Sequence, residues 1–180
     1  MLFGLLVFGA IVAALLWFAM AYNNLVAAAQ RADQAWGNLD ALVRQRHDEI
    51  AKLIELCQPR VKYEQAAFDR VVEARSEVFG ARQIQDAAAL GQAEHVLRSE
   101  LRNLQALAAA NAELNADPAL AVLQQRLATL DSGIEERGAL YNATVEQNNL
   151  ALGQFPGNIV AILGGFRALP TFTFDPNRAA

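Results

Sequence analysis

Residues 36–78 read WGNLDALVRQRHDEIAKLIELCQPRVKYEQAAFDRVVEARSEV. Apolar side chains recur there in steps of three and four: Trp36, Leu39, Val43, Ile50, Leu53, Cys57, Val71 and Val78, with Val61, Phe68 and Val72 beside them. Such spacing gathers them on one stripe of an α-helix. Taken by heptads, positions 36, 43, 50, 57, 64, 71 and 78 hold one phase straight through Pro59. A loop has no reason to conserve phase. The pattern therefore predicts one long helix, kinked or briefly broken near Gln58–Pro59 and ending near Gly80. A full break at Pro59 makes it two.

Further on, Gln83–Asp86 is a polar connection, and Asp86 suits the N-cap of the next helix. Leu90, Val96, Leu97, Leu101, Leu104 and Ala108 give that helix an apolar face until about Asn111. Asp117–Pro118 is the sharpest start signal, a capping carboxylate followed by proline at the first helical position. From it Leu120, Leu123, Leu127, Leu130, Ile134, Tyr141 and Val145 run in phase to Gly153. Alanine, leucine, glutamine, glutamate and arginine dominate throughout, a composition of long helices. Long stripes with short connectors can hide only against one another. The expected fold is all-α: an elongated antiparallel helical bundle over residues 23–154, of four helices if Pro59 breaks the first. Phe155–Pro156–Gly157 ends it, Asn158–Leu163 reads as a short apolar helix stopped by Gly164–Gly165, and the tail from Pro170 reads as loose. The part after residue 154 is thus a short apolar helix and a C-terminal tail.

Towards the N-terminus, Leu2–Ala21 contain no charge. As a helix this run spans roughly 30 Å, the thickness of a bilayer's hydrocarbon layer. Residues 1–22 read as a transmembrane anchor carried by Leu2, Phe3, Leu5, Leu6, Leu15, Leu16 and Trp17, with Tyr22 at the interface, and continuing into the first bundle helix. Ala19–Met20–Ala21 resembles a signal-peptidase site. However, no cation precedes the run, and it exceeds the roughly 7–15 residues of a signal's apolar region, so the anchor reading is preferred. Only Arg31 flanks the span closely, which tilts weakly towards a cytoplasmic bundle and leaves the side open.

Chemistry is harder to find. Lys+Arg 15 against Asp+Glu 19 gives net −4, mixed along the chain, which argues against nucleic-acid binding. Cys57 stands alone and core-facing, as a small hydrophobe. A di-metal bundle needs Glu-x-x-His on two helices, but Arg44 and Gln92 precede His47 and His95. Both histidines read as solvated or rim residues. Ser76, Ser99 and Ser132 lack a partner histidine at a useful spacing, and Gly164–Gly165 is no phosphate loop. Neither cofactor nor metal is expected, and no catalytic residue. Trp36 and Tyr141 read as core.

Polar residues in apolar phase stand out: Arg46, Arg60 and Glu64 in the first helix, Arg137 and Asn148 in the last. Either they snorkel outward at the bundle ends, or Arg46, Glu64, Arg137, Asn142 and Asn149 form a buried network between helices that fixes register. Both readings stay open.

The ordered set Tyr22–Asn23–Asn24–Leu25–Val26, Ala35–Trp36–Gly37–Asn38–Leu39–Asp40, Arg46, Tyr63–Glu64, Ala74–Arg75, Leu123–Gln124, Tyr141–Asn142 with Val145 and Asn149, and Phe155–Pro156–Gly157–Asn158 with Ala161 and Gly165–Phe166 resembles the LemA family of bacterial membrane proteins. The resemblance implies a single-span protein with an elongated four-helix bundle, a short N-terminus outside, and, for some relatives, a role in magnetosome formation. Ala51–Lys52 stands where many members carry a proline, Asn148 replaces a usual tyrosine, and Arg137 lies one position before the family's usual arginine. Together these observations predict a non-enzymatic scaffold or interaction module, single-pass in a bacterial inner (cytoplasmic) membrane, with the bilayer and an unidentified protein as partners. The alternative is an envelope-assembly or membrane-remodelling factor that self-associates. It would use Phe155–Phe166 as a second membrane contact, though packing of that segment on the bundle end is preferred.

Overall fold

The structure, a computed structural model, describes residues 2–60 and 65–173. Its helices are α1 (Leu2–Cys57), α2 (Gln65–Gln83), α3 (Ala87–Ala110), α4 (Ala112–Asn115), α5 (Pro118–Gly153) and α6 (Gly157–Gly164). Among the described residues there is no strand. No proline interrupts the chain before Pro59, so α1 runs unbroken for 56 residues, about 84 Å at 1.5 Å per residue. Its first five turns are uncovered. From Leu25 onward one stripe is buried: Ala28, Ala32, Trp36, Leu39, Val43, Ile50, Leu53 and Cys57.

Local capping sets the other boundaries. Asp86 accepts the N–H groups of Ala88 and Ala89, both at 3.0 Å. Asp117 accepts that of Ala119 at 2.8 Å, and Pro118 occupies the first turn. Asn111 caps α4 through Glu113 and Leu114. Each cap satisfies donors that a helix start leaves open.

Of the two readings of residues 36–78, one kinked helix or two helices broken at Pro59, the chain takes the second, which gives the four-helix bundle. The helix ends at Cys57, and α2 runs back along it. Arg82 of α2 grips Asp40 of α1 at 2.6 and 3.0 Å, while Phe79 lies 6.2 Å from the His47 ring. Antiparallel helices that face one core carry the same period, so a conserved phase is compatible with a reversal of the chain. Gly80 lies inside α2, and the connection comes later, at Gln85 with φ +54°.

Packing is pairwise, α1 against α5 and α2 against α3. The first pair is antiparallel: Trp36 meets Tyr141 edge to face, and Arg46 meets Asp131. Leu39, Ile50, Leu53, Phe68, Leu90, Leu97, Leu104, Leu114 and Ile134 fill the interior. Burying each such side chain stabilises the fold by about 1.5–3 kcal/mol before entropy is counted. The helix α6 closes one end, packing Val160 and Ala161 on Leu25.

The tail is not loose where it is described. Phe172 is buried in the main core, and Leu169 packs against it.

Candidate functional site

Halfway along the bundle the interior is ionic. Arg46 occupies the α1 stripe between Val43 and Ile50, and Glu94 occupies the α3 stripe between Leu90 and Leu97. Each is 1% exposed. Their side chains pair directly, and the Arg46 Nε also lies 2.7 Å from Asp131 of α5. Arg98, one turn beyond Glu94, reaches Asp131 at 4.0 Å and Glu135 at 2.9 Å. Three helices therefore meet on one guanidinium. Burial pushes the Glu94 and Asp131 carboxyls above their ordinary range, and Arg46 pulls both back only in part. Removing one member would leave an uncompensated buried ion, the costly outcome for such clusters.

Nearer the end that carries α6, two neutral side chains do different work. The Asn142 amide donates to the Phe172 carbonyl at 2.6 Å and accepts its N–H at 2.7 Å. The Asn149 amide does the same for Leu169, both at 2.9 Å. Tyr141 donates its hydroxyl to the Pro170 carbonyl at 3.0 Å. An amide in this geometry replaces the ladder partner that an irregular segment lacks. The segment lies so close that a Cβ on Gly138 would meet the Phe172 ring 2.6 Å away, and one on Gly91 would strike the Thr173 carbonyl.

The five residues expected to share one network thus part company. Arg46 belongs to the ionic cluster, whereas Asn142 and Asn149 hold the C-terminal segment. Glu64 lies outside the described residues. Arg137 is exposed on α5, off the stripe to which it was assigned. A straight helix drifts about 20° per heptad, and by this point the buried series has moved to Ile134, Gly138, Tyr141, Val145 and Asn148. Arg60 lies at the bundle end, bridging to Asp117 at 2.6 Å and Glu113 at 3.8 Å. Asn148 is buried and donates to Asn149 at 3.3 Å.

Glu94 and Asp131 were missed. The signal for Glu94 was present: steps 90, 94, 97, 101, 104 and 108 are an unbroken three-four series with one acid in it. A search for apolar residues skips that position. Asp131 stands in the same way four after Leu127 and three before Ile134, but the apolar Leu130 beside it takes its place in a search for apolar residues.

His47 is half-buried against Phe79, its pKa lowered by burial and by Arg75. Cys57 is buried and its thiol is pushed up by burial. Among the described residues no group of three His, Cys, Asp or Glu side chains is placed to hold a metal. An open groove of about 610 Å³ runs between α1 and α5, with Asp48, Lys52 and Arg126 beside Val122 and Leu130.

The remaining candidates are on the surface. Leu2, Phe3, Leu5, Leu6, Leu15, Leu16, Trp17 and Tyr22 are all exposed on α1. Its N-terminal part is, among the described residues, the one stretch long and apolar enough to cross a membrane.

Compared with known proteins, residues 35–180 match the sequence pattern of the LemA family. No curated protein matches the chain.

Proposed function

The chain belongs to the LemA family, and on that footing we propose that it is a single-pass membrane protein whose bundle is a non-enzymatic scaffold or interaction module. The observation that carries this reading is the continuity of α1. One helix bears an uncovered apolar stretch at one end and a core stripe of the bundle at the other, so the bundle is coupled to the anchor without a flexible linker. Leaving large apolar side chains in water forfeits about 1.5–3 kcal/mol each. More than ten of them are uncovered here, which supports a bilayer as their surroundings. Resemblance to the bacterial members of the family supports a bacterial cytoplasmic membrane as its location. The α1–α5 groove, with charges of both signs around an apolar floor, suits a polypeptide partner better than a nucleic acid.

Affinity purification of the full chain from detergent-solubilised membranes, followed by mass spectrometry, tests the reading. A stoichiometric second protein is expected, reduced by charge reversal at Arg126 and Lys52. Recovery of the chain alone, as a defined oligomer, would favour the self-associating assembly factor instead.

A further inference from the structure

The helix α6 has two unlike faces. Gly157, Val160 and Ala161 are buried, packing on Leu25 with Ala21 and Ala151 beside them. Ile159, Ile162 and Leu163 share the other face by helical spacing, and Phe155 is exposed in the turn just before the helix. Phe155 and Leu163 are each 71% exposed, and Ile162 is 82% exposed. Single exposed apolar residues are ordinary, whereas a clustered set of this size marks a contact surface.

The level of this set along α1 identifies the occupant. Phe155 packs at a tilt against Trp17 with ring centroids 5.4 Å apart, and Phe166 meets Tyr22 edge-on at 5.6 Å. Tyr22 is the residue where the uncharged run ends, and Trp17 lies about 7.5 Å further in at 1.5 Å per residue. Trp17, Phe18 and Tyr22 are themselves open to the surroundings, so the apolar surface of α6 is continuous with that of the span. Whatever surrounds the last turns of the span also meets α6. Aromatic side chains concentrate at this depth in membrane proteins, and interfacial helices sink an apolar face roughly 5–10 Å into the headgroup–acyl boundary. Arg167, exposed just past the helix, places a cation where lipid phosphates lie.

We infer that α6 is an interfacial helix that inserts Phe155, Ile159, Ile162 and Leu163 between lipids beside the span. The inference rests on the proposal that α1 crosses the bilayer. It gives the chain a second foot on the membrane, covalently continuous with the end of α5. The bundle is then held at a set height and tilt instead of swivelling on one helix.

Spin-label accessibility on the full chain, in vesicles of phosphatidylethanolamine and phosphatidylglycerol, tests the inference. Nitroxides are placed at Ile162→Cys, at Leu15→Cys within the span and at Val122→Cys on the bundle. The parent chain serves as the blank, because buried Cys57 does not label. Collision with oxygen, which enters lipid, is compared with collision with a water-soluble nickel chelate. Label 162 is expected to favour oxygen as label 15 does, and label 122 the nickel chelate. If label 162 behaves like label 122 while label 15 still favours oxygen, the inference fails and the anchor stands. Should label 15 also favour nickel, both fall. A label at 162 shielded from both reagents would mean that a second copy covers the face, which also overturns the inference. Repeating the measurement at Leu163→Cys, with helicity checked by circular dichroism, guards against a variant that misfolds.

Discussion

The ionic cluster at Arg46 and the asparagine pair at Asn142 and Asn149 both put polar groups against the core, yet they solve different problems. Arg46, Glu94 and Asp131 are side chains of three regular helices whose backbones are already satisfied. Nothing local requires a charge there, and its effect is to disfavour every register that would leave one charge alone. The asparagines face a segment without secondary structure, and they satisfy backbone groups that have no other partner. Charges between helices select a packing, while neutral amides allow an irregular chain to lie on one.

Breaking the two by mutation should separate them by size. Arg46→Met strands the buried Glu94 and is expected to cost on the order of 3–5 kcal/mol, read by thermal or denaturant melts of the chain in detergent. Adding Glu94→Leu should recover most of that loss, since apolar replacement of a whole buried pair is often near neutral. A double variant as unstable as the single would show that Arg46 acts through packing alone.

Asn142→Ala removes both bonds to Phe172 and should cost about 1–3 kcal/mol. The loss should be local: hydrogen exchange quickens over residues 169–173 while the α3 core keeps its protection.

Acidity sharpens the contrast, because only one of the two clusters titrates. Glu94 and Asp131 have folded pKa values raised above their unfolded values, chiefly by burial. The stability they contribute is full below the ordinary carboxylate range and is lost as pH rises through the raised values. Glu94→Gln should flatten that decline, and Asn142→Ala should leave its slope unchanged. The Asp117 cap runs the other way. Its pKa is lowered, first by Arg60, so its contribution is present above the ordinary range and lost as pH falls.

The smallest effect is expected at Arg137→Ala. An exposed side chain on α5 should change stability by less than about 0.5 kcal/mol. A loss comparable to that of Arg46→Met would mean that the α5 stripe has been phased wrongly here.

What could be read in the sequence divides along the same line between local and distant causes. The starts of α3 and α5 were legible because Asp86 and Asp117–Pro118 act on N–H groups two or three residues away. The reversal after Cys57 was not, because the periodicity of a helix records which face is buried and not the direction in which the chain runs. Asn142 and Asn149 were marked as polar partners, but their partners lie 30 and 20 residues downstream in a segment without periodicity. Glu94 was legible in its three-four series, but only to a reading that asks which polar residues share the buried phase.

The proposed function rests on α1 being one helix that leaves the bundle and enters a bilayer. Alkaline carbonate extraction of cell membranes, with intact-mass analysis of the retained chain, tests that directly. The account predicts that the chain stays in the membrane pellet with residues 2–21 still attached. A soluble chain beginning at Tyr22 would contradict it.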